Sequence, residues 1–187
     1  MDPIQLETLE SEVWGWLASG LSTEGSPLRL PTVATVDAHG VPQARVVVLR
    51  IADAWMLQFH TDVRSPKVTE LRERDAVTWL FYDPARMLQI RASGRASLHT
   101  DDAIADQGWA ESPLASRAPY FGASPSGQVI DAPAPAVFVR DEAHSMQGRP
   151  QFCAVRCAIT ELDVLQLHES GHRRAKVRPG EAVWVSP

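Results

Sequence analysis

Across residues 30–99 the chain is a succession of short runs rich in β-branched residues, separated by tight turns. Such runs must pair with neighbours, and turns this short lay each run beside the last, so the order favours antiparallel sheet. Residues 31–36 and 41–51 are predicted strands joined through Asp37-Ala38-His39-Gly40, and a third strand over 55–60 follows the turn around Ala52-Asp53. Ser65-Pro66 opens a short helix: serine suits the N-cap, proline the first helical position, and Val68 and Leu71 face inward until Asp75. Two more strands, 76–82 and 87–99, flank the Asp83-Pro84 turn. Leu6, Leu9, Val13, Trp16 and Leu17 recur at helical spacing and predict a helix over 3–20. A further helix begins at Asp101-Asp102 and runs to about 111, its acids well placed at the N-terminus. Residues 112–136, rich in Pro, Ser, Gly and Ala, read as a long loop, and the strands resume over 151–167, 173–178 and 182–185. The sum is a mainly β (α+β) single domain over 1–187, with six to eight strands as an antiparallel barrel at about 30–100 and 151–187, and three peripheral helices.

Bulk properties narrow the function. The 187 residues suit one domain, and 44% apolar with 22% charged residues is ordinary for a globular chain. A net charge of −5 gives no global field for nucleic acid, and no apolar stretch reaches membrane-spanning length. The start Met1-Asp2-Pro3-Ile4-Gln5-Leu6-Glu7 lacks the pattern of a signal peptide, so a cytoplasmic location is expected. Cys153 and Cys157 fall on one face of a strand, too far apart for a disulfide within it, and read as buried free thiols.

Several segments carry chemistry. In Thr61-Asp62-Val63-Arg64-Ser65-Pro66-Lys67 a strand gives way to a helix, where free backbone N–H groups, two hydroxyls and two cations would suit a phosphate monoester. An ordinary capped helix with solvated bases would leave the same string. Arg45-Val46-Val47-Val48-Leu49-Arg50 sets two arginines at the ends of an apolar run, on opposite faces of one continuous strand, either facing a ligand or exposed at strand ends. Gln89 is an amide within an apolar strand and needs partners from backbone, solvent or a bound ring. His172-Arg173-Arg174-Ala175-Lys176 is a second basic cluster, either a solvated turn or part of an anion pocket. His168 and His172 sit at metal-ligand spacing, but the turn between them and the lack of a third ligand nearby argue against a metal site. Nucleophile elbow, P-loop and dinucleotide fingerprint are all missing from the sequence.

In this order, the segments resemble the pyridoxamine 5′-phosphate oxidase family and its FMN-binding relatives. The match is carried by Arg45–Arg50, Phe59-His60-Thr61-Asp62 with Arg64-Ser65-Pro66-Lys67, Leu80-Phe81-Tyr82 leading to Gln89, and Gly94-Arg95-Ala96. The resemblance implies an antiparallel split β-barrel, working as a homodimer with FMN at the subunit interface. It places Arg45, Val46, Val47 and Val48 along the flavin, His60 and Thr61 beside it, Arg64, Ser65 and Lys67 at its phosphate, and Gln89 on the ring. Ser126 and a residue from 167–176, with Leu167 and Lys176 as candidates, would reach in from the other subunit. Arg50, Trp109 and Arg173 would contact substrate. The substrate half of the pattern is eroded: Trp109 and Pro113 replace a tyrosine and an arginine that grip the substrate phosphate, Arg50 replaces a lysine, and Ala175 replaces a histidine. The expectation is an FMN-dependent oxidoreductase with an altered substrate site and no assigned catalytic residue. Genuine pyridoxamine/pyridoxine 5′-phosphate oxidation and non-catalytic FMN or haem binding stand as alternatives.

Overall fold

The computed structural model describes residues 3–133 and 135–187; Met1 and Asp2, and Ala134 in the expected long loop, lie outside them. The chain runs α1 (Leu9–Ser22), β1 (Thr32–Val36), β2 (Pro42–Val46), β3 (Leu49–Asp53), β4 (Met56–Asp62), α2 (Pro66–Glu73), β5 (Ala76–Asp83), β6 (Leu88–His99), α3 (Ala103–Glu111), α4 (Glu142–Ser145), β7 (Phe152–Gln166), β8 (Arg173–Arg178) and β9 (Glu181–Val185). All nine strands among the described residues pair antiparallel in one sheet, in the order β2-β1-β5-β6-β7-β4-β3, with β8 and β9 continuing from β7.

The spine is β7. One of its edges pairs with β6 from Leu88↔Gln166 to His99↔Ala154. Its other edge takes β4 along Phe152 to Ala158, then β8 along Leu162 to Gln166. Alternation decides which side chains go inside: Val77, Trp79 and Phe81 of β5 are buried, while Leu80 and Tyr82 face out. The core joins these to Val33, Leu49, Leu57, Phe59, Ile90, Val155 and Leu162, and Leu9, Val13 and Leu17 close it from α1 at helical spacing. At Gly94 the β6–β7 register shifts, and a Cβ there would stand 2.0 Å from the Ala158 carbonyl oxygen. Only glycine permits that approach.

The structure revises several sequence expectations. The first helix begins at Leu9 and not at residue 3; the Ile4 backbone is spent elsewhere, its N–H donating to Gln166 Oε1 (2.9 Å) and its carbonyl accepting from Arg173 Nη1 (2.9 Å). The predicted strand over 41–51 is two strands. Because β2 and β3 lie at opposite ends of the sheet order, Val47 and Val48 must carry the chain from one to the other. Arg45 and Arg50 therefore belong to different strands, so alternation along one strand does not relate them. Within the expected 112–136 loop, Leu114–Phe121 form a 3₁₀ helix. Both cysteines are buried free thiols, as expected. No helix among the described residues is long and apolar enough to cross a membrane.

Candidate functional site

β4 ends at Asp62 and α2 begins at Pro66, so Thr61 and Ser65 meet across a tight connection. Ser65 occupies the N-cap position, yet its side chain makes no cap bond. Its hydroxyl lies 3.2 Å from Thr61 Oγ1 instead, and Lys67 Nζ donates to both hydroxyls at 3.0 Å. Both hydroxyl residues are nearly closed off, Thr61 at 8% and Ser65 at 1% exposure. Burial holds the Lys67 ammonium pKa below its ordinary value, and the nearby Arg45 guanidinium adds to this. The surrounding acids are already engaged. Glu70 accepts from Arg45 Nη2 (3.1 Å), and Asp62 is gripped by Arg64 through Nε (3.0 Å) and Nη2 (2.7 Å). A half-buried ammonium with only hydroxyls for direct partners is a centre that a phosphate would complete. Arg64 stands at this site with its charge offset by Asp62, a bond that two-residue spacing alone did not reveal. Arg45 is tied to Thr35 Oγ1 and Glu70 beneath it. The loop after Phe121 returns here: a Cβ on Gly127, whose φ of +87° suits glycine, would lie 3.4 Å from Pro66 Cγ, which brings the exposed Ser126 beside α2 of its own chain.

His60, one residue before Thr61, points to the opposite side of β4. Its ring meets Phe152 edge-on at 4.7 Å beneath α3, where Gly108 leaves room: a Cβ there would approach His60 Nε2 to 3.0 Å. The hydrogen bonds form one directed chain. Arg156 Nε donates to Gln58 Oε1 (2.8 Å), Gln58 Nε2 to His60 Nε2 (3.0 Å), His60 Nδ1 to Ser112 Oγ (3.3 Å), and Ser112 Oγ to the Gly108 carbonyl (2.7 Å). This assigns a neutral imidazole protonated on Nδ1. Burial, followed by the charge of Arg50, holds the His60 pKa down at about 4.

Arg50 lines a 170 Å³ cavity with His60, Gln58 and Ser112, and its buried Nε has no partner among the described residues. Trp109 is core: it packs edge-on against Tyr120 and Phe152, and the Arg117 guanidinium covers its ring at 4.9 Å. Four other candidates lie elsewhere. Gln89 pairs with Leu165, Arg173 with Gln166 and Lys176 with Asp163, and Leu167 follows the end of β7, whereas Thr61 pairs with Cys153 near its start. Twelve residues of β7 separate the Thr61 and Gln89 registers, about 40 Å of strand contour at the usual rise. Lys176 meanwhile bonds to Glu161 (3.1 Å), and Arg173 holds the Ile4 carbonyl.

With this geometry established, residues 12–100 match the family model described as pyridoxamine 5′-phosphate oxidase, FMN-binding domain. Over those residues, a little under half of the chain, the sequence is similar to this family. The pyridoxine/pyridoxamine 5′-phosphate oxidase of Pseudomonas fluorescens (strain SBW25) is 34% identical over 117 residues, covering 62% of this chain and 54% of that protein. The enzyme of the same name from Ralstonia pickettii (strain 12J) is 32% identical over 116 residues, with the same coverage of 62% and 54%. The chain thus spans about half the length of the curated relatives it matches. Among solved structures, a pyridoxamine 5′-phosphate oxidase-related, FMN binding protein from Nostoc punctiforme PCC 73102 superimposes with a TM-score of 0.72 at 21% identity over the whole of both chains. PhzG from Burkholderia lata 383, in complex with tetrahydrophenazine-1-carboxylic acid, gives 0.71 at 20% identity over 100% of this chain and 95% of its own. The fold is the FMN-binding split barrel.

Around this family framework the structure adds residues that the sequence did not single out. Arg117 is buried and bonds to the Ser112 carbonyl (3.0 Å), Ser145 Oγ (2.8 Å) and the Glu142 carboxylate, locking the end of α3 to α4. It lies in a stretch whose composition signals only loop. Arg29 reaches the same cavity as Arg50 from the segment before β1. Ser97, His99 and Asp102 are linked in series at 2.8 and 2.7 Å, the order of a hydrolytic triad, but Asp102 is occupied capping α3 through the Ala105 N–H. This arrangement is a helix-entry brace.

Proposed function

We propose that this chain binds FMN and acts as an FMN-dependent oxidoreductase whose substrate site differs from that of the vitamin B6 oxidase. The observation that carries this is the half-buried Lys67 ammonium facing the Thr61 and Ser65 hydroxyls at the start of α2. Those three groups fit a phosphate monoester in charge and in donor type. Bound FMN supplies hydride or single-electron transfer at its ring. The residues around it bind and orient: Lys67, Thr61 and Ser65 hold the phosphate, and the Val46–Val48 crossing offers an apolar edge for the ring.

We propose further that the chain works as a homodimer with FMN at the subunit interface. Thr61 and Gln89 lie at registers twelve residues apart along β7, which supports a reading in which two chains share the implied contacts to one flavin. Val46 (63% exposed), Leu80 and Tyr82 lie together on the outer face of β2, β1 and β5, an apolar surface suited to a second copy.

The test is spectroscopic. Purified protein should be yellow, with about one FMN per chain retained through gel filtration; a colourless protein that takes up no added FMN refutes the proposal. A second reading, oxidation of pyridoxine or pyridoxamine 5′-phosphate, draws support from the names of the partial relatives. Ala175 weighs against it, because it is wholly buried and brings no functional group to the position of the oxidase's histidine. Release of pyridoxal 5′-phosphate and hydrogen peroxide would establish that second reading.

A further inference from the structure

Three cations stand at the Thr61–Ser65 hydroxyl pair, and two of them are already matched by a carboxylate, Arg64 by Asp62 and Arg45 by Glu70. Lys67 forms no ion pair among the described residues, only bonds to the two hydroxyls. Glu70 is the unexpected member of this group. It is 7% exposed, one of three buried residues of α2 with Val68 and Leu71, and it lies three residues from Lys67, a neighbour on the helix surface. An apolar side chain would close this face of the helix without the cost of a buried charge. The carboxylate instead acts on Arg45. Its Oε2 accepts from Arg45 Nη2 (3.1 Å) and from the Thr35 hydroxyl, while Arg45 Nη1 donates to Thr35 Oγ1 and to the Gln43 carbonyl (3.2 Å). Both terminal nitrogens of Arg45 are thereby engaged where β1, β2 and α2 meet. The two charges are also felt at Lys67: burial is the first cause of its lowered pKa, Arg45 adds to the lowering and Glu70 opposes it.

We propose that Glu70 is a positioning residue of the phosphate cradle: it holds Arg45 in a closed ion pair, so that Arg45 lends the phosphate no charge and Lys67 alone sets the preference for FMN over riboflavin. The family resemblance lays Arg45 along the flavin, and a paired guanidinium can serve there as a wall while its charge is spent on Glu70. The identity of the ligand rests on the FMN proposal; the charge balance at Lys67 does not. One net positive charge facing a phosphate dianion leaves part of the ligand's charge unmatched, so Glu70 moderates how tightly the cofactor is held.

The experiment titrates the full chain, stripped of flavin, with FMN and with riboflavin by fluorescence quenching, in wild type, Glu70→Gln and the double variant Arg45→Gln/Glu70→Gln. Glutamine keeps the shape of Glu70 and an acceptor oxygen for Thr35 and Arg45. Glu70→Gln releases the Arg45 charge and should bind FMN about tenfold more tightly, as one added charge-assisted bond predicts, with riboflavin unchanged. The double variant removes two charges that cancel, so its FMN affinity should stay within about threefold of wild type. An FMN affinity that is unchanged or weaker in Glu70→Gln overturns the proposal. So does a loss of about tenfold or more in the double variant with riboflavin unchanged, because Arg45 would then already hold the phosphate. Should Glu70→Gln fail to fold, the double variant, which leaves neither charge unpaired, decides. A second readout needs no flavin: the Lys67 ammonium, followed by NMR with labelled lysine, should lose its proton at lower pH in Glu70→Gln and return to the wild-type value in the double variant. A Lys67 titration that does not move in Glu70→Gln overturns the proposal. If wild type takes up no FMN, the FMN proposal falls and the Lys67 titration alone decides the role of Glu70.

Discussion

Replacing Lys67 with methionine should move stability and cofactor affinity in opposite directions. In the folded chain the ammonium is held among Thr61, Ser65 and the nearby Arg45, and burial lowers its pKa. A lysine whose folded pKa lies below its unfolded value binds its proton more weakly when folded. At neutral pH the charged group therefore costs stability, and the cost fades as pH rises through the folded pKa toward 10.5. Methionine fills similar space without the charge, and the Thr61–Ser65 hydroxyl pair at 3.2 Å survives. The flavin-free variant should melt at or above the wild-type temperature. Its FMN affinity should fall, because a charge-assisted bond to phosphate contributes about 1.5–3 kcal/mol, or roughly ten- to hundredfold in Kd. Riboflavin, which lacks the phosphate, should bind both proteins alike. Fluorescence quenching titrations with each flavin, beside thermal melts of the flavin-free proteins, give all three quantities. Equal losses of FMN and riboflavin affinity would refute the phosphate assignment, and a marked fall in the flavin-free melting temperature would refute the electrostatic account.

Three further outcomes follow from the geometry. His60 is kept neutral to about pH 4, so its contribution to stability is complete above its unfolded value of 6.5 and is lost as pH falls toward 4, with a slope up to about 1.4 kcal/mol per pH unit; melts of wild type and His60→Gln across that window should diverge, and parallel curves count against it. Gly94→Val should destabilise by about 1–3 kcal/mol in denaturant titrations, since its Cβ would collide with the Ala158 carbonyl, and an unchanged midpoint would mean the strands separate freely there. Leu80→Arg and Tyr82→Arg should convert the proposed dimer to a monomer by light scattering and reduce FMN retention together; a wild-type monomer that holds one FMN per chain would exclude the interface.

The legible parts of this protein were those written locally. Ser65-Pro66 marks a helix start in any context, so the Thr61–Lys67 cradle could be placed from the string alone. What Arg64 does there could not, because its pairing with Asp62 depends on how the turn folds. The break at Val47–Val48 was hidden for a different reason. An unbroken β-branched run contains no turn residue, and only the remote positions of β2 and β3 in the sheet force the crossing. Trp109 shows the same limit: position suggested a ligand contact, while Tyr120 and Phe152, distant in sequence, make it core. Arg29 and Arg117 lie in segments with no periodicity, where pairing is decided entirely by tertiary placement.

The double duty of β7 has a consequence for how the protein is made. Translation delivers β1 to β6 well before Phe152 appears, and those strands leave two open edges, one on β6 and one on β4. Until then β4 has only β3 as a partner, and a two-stranded ribbon is a marginal support for Thr61 and the cradle. Under the FMN proposal, flavin capture comes late in synthesis and does not guide its early steps. A chain interrupted before β7 would expose both edges as templates for its neighbours, so nonsense and frameshift products ending ahead of Phe152 are expected in inclusion bodies, not as soluble fragments that retain FMN.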